Sequence, residues 1–109
     1  MAYDVALYRR ARAVLEGHPS LGDRKAFGGV CFAVQGNICC GIHGEQLIVR
    51  VGPTAFEAAM QQPHVRVFDL TGRPMKGWVW VAPAGVEKDA DLIAWIRKGV
   101  EFAMSLPPR

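Results

Sequence analysis

All three cysteines of this 109-residue chain lie in one glycine-rich and almost uncharged segment, FGGVCFAVQGNICCGI, at residues 27–42. Cysteine thiolates bind zinc, act as nucleophiles and form disulfides. Glycines that lead into a helix N-terminus form phosphate-binding loops. The residue types therefore allow three interpretations: a metal or redox site, a phosphate loop, or a buried β-hairpin without chemistry.

Strand alternation in this segment favours the hairpin. Before Gly36, Val30, Phe32 and Val34 alternate with Cys31, Ala33 and Gln35. Gly36 suits a tight turn into a returning strand. With Gln35 and Gly36 at the centre of the turn, Cys31 lies opposite Cys40. With Gly36 and Asn37 at the centre, the two cysteines are diagonal neighbours. In both registers Cys31 and Cys40 share one face of the sheet.

The same geometry places Cys39 on the opposite face, together with His43. At most two cysteine ligands converge, whereas a zinc site needs four ligands. Gly28 and Gly29 lead into a strand and not into a helix, so a phosphate loop is not indicated. We expect three free, buried thiols and no metal or cofactor, because a reducing cytoplasm also disfavours a disulfide between the two cysteines that share a face.

The rest of the chain shows no catalytic constellation. The carboxylates have no paired spacing, and neither serine lies in a GxSxG motif. His18 and His64 each adjoin a proline and are expected in loops. A Cys39 nucleophile assisted by His43 or His64 is the least favoured alternative, because the strand pattern buries Cys39. We therefore predict no catalytic residues and a protein that is not an enzyme.

Basic side chains near predicted turns are better candidates for binding. Arg73 and Lys76 lie in an irregular loop, and loops on rigid scaffolds often carry function. Arg50 precedes Gly52–Pro53 at a predicted helix start, where backbone N–H groups favour anions. The candidate site for an anionic ligand or a nucleic-acid backbone comprises Lys25, Arg50, Arg66, Arg73 and Lys76. In the alternative interpretation Arg50 and Arg66 are ordinary exposed strand residues, and Asp69 pairs with Arg73 or Lys76.

The three tryptophans can be explained by packing. Trp78 and Trp80 lie on the same face of one predicted strand, and Trp95 lies on the last predicted helix, which can cover that face. A base-stacking platform is the alternative, and it requires exposed aromatic rings on a basic surface.

Hydrophobic periodicity predicts the elements that position these residues. Helices are expected at 3–16, 53–62 and from about 89, and strands at 30–34, 38–42, 45–51, 65–68 and 78–82. Three consecutive strands with short turns form an antiparallel meander. The order predicts an α+β, two-layer α-β(3)-α-β(2)-α sandwich with a mainly antiparallel five-stranded sheet, in a single domain of residues 1–109.

Two blocks of the sequence resemble the TfoX N-terminal domain family, which is related to the bacterial competence regulators TfoX and Sxy. The first block, KAFGGVCFAVQGNICCG, includes Phe27, Gly28 and Gly29. The second block, FDLTGRPMKG, includes Thr71, Gly72, Arg73, Pro74, Met75, Lys76 and Gly77. The resemblance extends from about residue 11 to residue 108. It implies the same α-β(3)-α-β(2)-α fold and a role in transcription or competence regulation, here without the second, helical domain of the two-domain regulators.

Composition and charge predict where the protein acts. The net charge is +3 and 21% of the residues are charged, an ordinary globular balance. The N-terminus has the pattern of an amphipathic helix rather than a signal peptide, and no apolar run approaches the ~18 residues of a membrane span. We therefore expect a cytoplasmic protein without a membrane partner.

A second apolar face on the predicted sheet indicates self-association. Cys31, Ala33, Val79 and Val81 are expected on the face opposite Phe32, which leaves both faces apolar. We expect a homodimer that covers this second face through the sheet or an edge strand, because a second copy is the commonest partner of such a surface.

The favoured function is a non-enzymatic regulatory or binding role, with a protein or a nucleic acid as partner. The alternative is a small-molecule or anion binder that uses Arg50, Arg73 and Lys76. A cysteine-dependent enzyme is the third and least favoured hypothesis.

Overall fold

The computed structural model describes residues 3–26, 28–70 and 72–109. In these ranges the helices are Val5–Leu15 (α1), Pro53–Met60 (α2) and Asp89–Ser105 (α3). The strands are Leu21–Ala26 (β1), Gly29–Val34 (β2), Asn37–His43 (β3), Gln46–Arg50 (β4), Val65–Val67 (β5) and Trp78–Val81 (β6). No helix of the described chain is long and apolar enough to cross a membrane.

The strands form one sheet in the order β1-β2-β3-β4-β6-β5, and every neighbouring pair is antiparallel. The predicted α+β class is confirmed, but the sheet has six strands and not five. The pattern missed β1 because its sequence, LGDRKA, is an exposed edge strand without apolar alternation. Charged residues on an edge strand discourage pairing with another chain, so this composition suits its place in the sheet.

The starts of the helices follow from local chemistry. At the start of α1, Asp4 Oδ1 accepts hydrogen bonds from the backbone N–H groups of Ala6 and Leu7, at 2.8 and 3.2 Å. Such a cap satisfies N–H groups that have no partner inside the helix. The first turn of α3 contains Asp89 and Asp91, whose negative charge favours the positive end of the helix dipole.

All three helices contribute to the core on one face of the sheet, here called the inner face. Phe32, Cys40, Val49 and Val79 lie side by side on adjacent strands of this face. The helix residues in the same buried cluster are Leu7, Ala11 and Leu15 of α1, Ala59 of α2, and Leu92, Trp95, Ile96 and Ala103 of α3. The molecule therefore has two layers, as predicted.

The opposite, outer face of the sheet carries Cys31, Ile48 and Trp80. Ile48 and Trp80 form a second buried cluster with Phe68, and Met75 packs against it. Phe68 and Met75 belong to the connection between β5 and β6, and the Met75 N–H donates to the Phe68 carbonyl at 2.9 Å. A curled loop of the same chain therefore covers part of the outer face.

These faces correct two predictions about packing. Trp78 and Trp80 do share a face, but they contact the Phe68 cluster on the outer face, whereas Trp95 joins the inner core. The last helix therefore does not cover these two rings. Val79 and Val81 were predicted opposite Phe32, yet the register places both on the inner face with it.

The turn between β2 and β3 has Gln35 and Gly36 as its two central residues. Their φ angles are both positive, 52° and 80°. A two-residue type I′ turn requires positive φ at both central positions, since its twist matches that of the flanking strands. This is the first of the two registers that the sequence allowed.

A β-bulge follows this turn on β3. Phe32 pairs with Cys40, whereas the next residue along β2, Ala33, pairs with Ile38. Cys39 is therefore an extra residue that has no opposite partner on β2. A bulge of this kind interrupts the strict alternation of side chains between the two faces.

The bulge overturns the predicted face of Cys40. Cys31 lies on the outer face, whereas Cys39 and Cys40 both join the inner core. The prediction that Cys31 and Cys40 share a face was wrong, because the extra residue shifts the alternation by one. The prediction that His43 lies on the Cys39 side was also wrong: its ring contacts Trp80 on the outer face, with centroids 5.3 Å apart.

Candidate anion-binding surface

Arg50, the last residue of β4, lies at the centre of the candidate surface. Its guanidinium carbon is 5.2 Å from the ring centroid of Trp78 and 5.2 Å from that of Phe102. Burial lowers the pKa of Arg50, and the charge of Arg109 lowers it further. Within the described chain Arg50 makes no ion pair. Two arginines therefore share one neighbourhood, and neither side chain makes an ion pair in the described chain.

Lys76 is held next to this strand end by the residue that follows it. The backbone N–H groups of Val51 and Gly52 donate to the Gly77 carbonyl, at 2.9 and 3.0 Å. A side-chain carbon at position 77 would lie only 3.3 Å from the Pro53 nitrogen, so the close approach of the two segments depends on glycine. The exposed Lys76 therefore lies beside the connection between β4 and α2.

The start of α2 adds positive potential at the same place. Its N-cap residue is Gly52, and no side chain caps the helix. The first N–H groups of a helix have no partner inside it and carry the positive end of the helix dipole. Arg73, in the same loop as Lys76, is exposed. The structure thus brings Arg50 and Lys76 to one helix start, with Arg73 in the adjacent loop.

Arg66 lies on β5 and already has partners. Its guanidinium carbon is 5.1 Å from the Trp80 ring centroid, and it donates a hydrogen bond to Gln46 Oε1 at 3.3 Å. One of its nitrogens is 4.0 Å from Asp69 Oδ1, which also accepts the Trp80 Nε1–H at 3.3 Å. Asp69 was predicted to pair with Arg73 or Lys76, and the structure pairs it with Arg66 instead.

Lys25 does not join the other basic residues. It lies on β1, at the edge of the sheet opposite to β5, where Arg66 lies. Adjacent strands are about 4.8 Å apart, so roughly 24 Å separates the two edges. The expectation that all five basic residues converge on one ligand is wrong for Lys25, and the candidate surface is reduced to Arg50, Arg73 and Lys76, with Arg66 nearby.

The residues of the two sequence motifs have mainly structural roles where they are described. Gly29 lies against the Ile42 carbonyl, so that any side chain there would overlap it, and Gly28 and Gly72 have positive φ angles of 75° and 82°. Pro74 is exposed. Phe27 and Thr71 lie outside the described residues.

Two members of the surface were missed by the sequence reasoning. Phe102 was not included because its position on α3 gave no sign that its ring would meet Arg50. Arg109 was not included because it lies beyond the last predicted helix. Its backbone N–H donates to the Gln35 carbonyl at 2.8 Å, which fixes the chain end against the β2–β3 turn. Only this long-range contact brings its charge near Arg50.

The cysteines are buried, and a hydrogen bond with the Cys40 thiol lowers the pKa of Cys39. All three are 0% exposed. Burial raises the pKa of Cys31 to about 11. The Cys39 thiol donates to the Phe32 carbonyl at 3.4 Å, and its sulfur is 3.7 Å from that of Cys40, a contact that together with burial raises the Cys40 pKa. No group of three metal-ligating side chains occurs among residues 3–26, 28–70 and 72–109.

Comparison with known proteins gave one match. A family model described as the TfoX N-terminal domain matches residues 13–103, which is nearly the whole chain. No curated protein and no solved structure matched the sequence.

Proposed function

Because the chain belongs to the TfoX N-terminal domain family, we propose that it is a non-enzymatic regulatory protein that binds the phosphate backbone of nucleic acid in the cytoplasm. The surface formed by Arg50, Arg73 and Lys76 carries this function. The observation that supports it most is the pair Arg50 and Arg109: the charge of Arg109 lowers the pKa of Arg50, and neither side chain makes an ion pair in the described chain.

The geometry suits a phosphate ligand. Arg50 is held against two aromatic rings, so its planar guanidinium loses little freedom when it binds. Lys76 adds a flexible point charge, and the uncapped start of α2 adds N–H donors. Each of these groups favours a negatively charged oxygen such as those of the phosphate backbone. We therefore expect binding that depends on salt and only weakly on sequence.

A small anionic metabolite is the second candidate ligand. The cationic groups are concentrated at one strand end and one helix start, and they do not form a long stripe across the molecule. A single phosphate or carboxylate group would therefore occupy most of the site. Titration calorimetry compares the affinity of the protein for inorganic pyrophosphate with its affinity for a duplex oligonucleotide. Tighter binding of the duplex favours nucleic acid, and tighter binding of pyrophosphate favours the metabolite.

The central test is duplex binding by a double variant, Arg50→Gln with Lys76→Gln, measured by fluorescence anisotropy over a series of salt concentrations. Removing two phosphate contacts should reduce the slope of log K against log salt by about 2. Affinity at low salt should fall at least about tenfold. Lys25→Gln with Arg9→Gln is the matched control, because it also removes one lysine and one arginine charge, from exposed residues on β1 and α1.

Unchanged affinity and slope in the double variant would rule out this surface as the nucleic-acid site. Binding of pyrophosphate without measurable duplex binding, lost in the same double variant, would instead establish the metabolite as the ligand. Circular dichroism of each variant confirms that the fold is retained.

A further inference from the structure

An apolar groove lies on the helical side of the molecule, away from the sheet. It occupies about 690 Å³ between α1 and α3. Its apolar lining includes Val14 of α1 and Ile93, Ile96 and Val100 of α3. Val14, Ile93 and Val100 remain half-exposed. The helical layer therefore leaves apolar surface uncovered, whereas the outer face of the sheet is largely closed.

The exposed apolar residues of α3 continue along one stripe. The apolar residues Ile93, Val100 and Met104, with Arg97 between the first two, are spaced by four, three and four residues, which places all four on the same side of a helix. Met104 is 42% exposed, and among the described residues only Leu70 is a comparably exposed large apolar side chain. This spacing is the one by which two helices pack along a shared seam.

The charges at this stripe are of both signs and form no ion pair with other described residues. Arg97 and Glu101 are one turn apart and both line the groove. Neither takes part in an ion pair in the described part of the chain, whereas Arg10 and Asp89 at the other end of the groove pair at 3.1 Å. A surface with one free cation and one free anion at i and i+4 is complementary to itself when it is rotated by a two-fold axis.

We propose that the chain forms a two-fold homodimer through the groove and the stripe on α3. The two copies of α3 pack antiparallel, with Arg97 of each copy facing Glu101 of the other. In an antiparallel pair of helices, two facing residues lie equally far on either side of the two-fold axis. Ile93 and Met104 have nearly the same midpoint along α3 as Arg97 and Glu101, so the same register places Ile93 of one copy next to Met104 of the other. The axis then passes close to Val100 of both copies.

This interface differs from the one expected from the sequence. That expectation rested on an uncovered outer face of the sheet, with Cys31 and Ala33 as two of its residues. These side chains are 0% and 3% exposed in the single chain. The charged edge strand β1 is also a poor surface for association. The uncovered apolar surface lies on the helices instead.

A charge-swap experiment tests the proposal with the purified protein alone. Light scattering at micromolar concentration should give twice the mass of the 11.9 kDa chain for the unchanged protein. Arg97→Glu and Glu101→Arg each place like charges opposite one another in both symmetric contacts. Each should raise the dimer dissociation constant at least about tenfold.

Two rescue experiments distinguish a loss of dimerisation through this register from a general effect of the substitutions on folding. The double variant Arg97→Glu with Glu101→Arg restores opposite charges and should dimerise again. An equimolar mixture of the two single variants should form a mixed dimer, because one copy then carries only negative and the other only positive charges at these positions. Lys98→Glu is the control, as it reverses a charge on the same helix but lies away from the stripe, over the Trp95 ring.

A monomeric mass for the unchanged protein would overturn the proposal. So would a dimer that both single variants leave intact, or single variants whose dimerisation is recovered neither by the double change nor by mixing. Circular dichroism should show the same helical content in all variants, and a variant that unfolds is replaced by Val100→Glu, which has to break the same dimer.

Discussion

At the scale of single residues, Cys31 shows how burial controls thiol chemistry. Its pKa is raised from 9.0 to about 11 by burial on the outer face. The folded state therefore binds the thiol proton more tightly than the unfolded state does. The stability that this neutral thiol contributes is fully present below pH 9 and is lost as the pH rises towards 11.

This shift predicts a pH dependence that Cys31→Ala removes. Between pH 8 and pH 10.5 the unfolding free energy of the unchanged protein should fall by about 2 kcal/mol more than that of the variant. Urea unfolding under reducing conditions at the two pH values measures the difference. Parallel pH profiles for the two proteins would mean that the Cys31 site admits the thiolate, and hence water, in the folded state.

At the same scale, the candidate surface was predictable only in part. Arg50 and Lys76 were identified because one precedes a helix start and the other lies in a loop. Their proximity depends on the contact between Gly77 and Gly52, and no pattern in the sequence shows which two turns will meet. Lys25 was grouped with them in error, since a candidate chosen by residue type alone carries no information about which edge of a sheet it occupies.

At the scale of elements, the contact of α3 with β3 depends on Gly99. This glycine lies on the buried side of α3, and a side chain there would overlap the Cys39 carbonyl at the bulge. It would also come within 3.4 Å of Val49. The helix can therefore pack directly on the irregular part of the strand only because position 99 lacks a side chain.

Gly99→Ala should destabilise the protein by about 1–3 kcal/mol, the usual cost of overpacking a core. The overlap has to outweigh the gain of about 1 kcal/mol in helix propensity from glycine to alanine. Urea unfolding measures the net change. Gly22→Ala, on β1, is the matched control, because a side chain there meets nothing within 4 Å. A more stable Gly99→Ala protein would show that α3 does not rest on the bulge.

The order of elements could be predicted because the sequence shows a clear helical or strand spacing of apolar residues in all three helices and in the central strands. β1 was missed because an exposed edge strand has no buried face to impose alternation. The faces of Cys40 and His43 were mispredicted because one inserted residue, Cys39, reverses every subsequent assignment along the strand. The position of a bulge depends on how neighbouring elements pack, here β3 against α3, and the hydrophobic pattern of the sequence does not show it.

At the scale of the whole molecule, the two proposed surfaces lie on different sides of α3. Arg50 contacts Phe102, whereas the proposed dimer axis passes close to Val100. Side chains two positions apart on a helix point in directions that differ by about 200° around the helix axis. The proposed dimer seam therefore contains none of Arg50, Arg73 and Lys76, although its Glu101 also lines a cavity with Phe102 and Thr54.

This separation predicts that the two functions are independent, since distant sites without shared partners have additive effects. Arg97→Glu should break the dimer yet bind a duplex of about 10 base pairs, roughly 34 Å long and matched to one chain, as tightly per chain as a Lys25→Glu control, whose substitution lies at the far edge of the sheet. That control carries the same charge change, so long-range repulsion is equal in both. Arg50→Gln with Lys76→Gln should lose duplex binding and keep the mass of a dimer. A shared loss of both functions in either variant would mean that dimerisation assembles the anion site across the two copies.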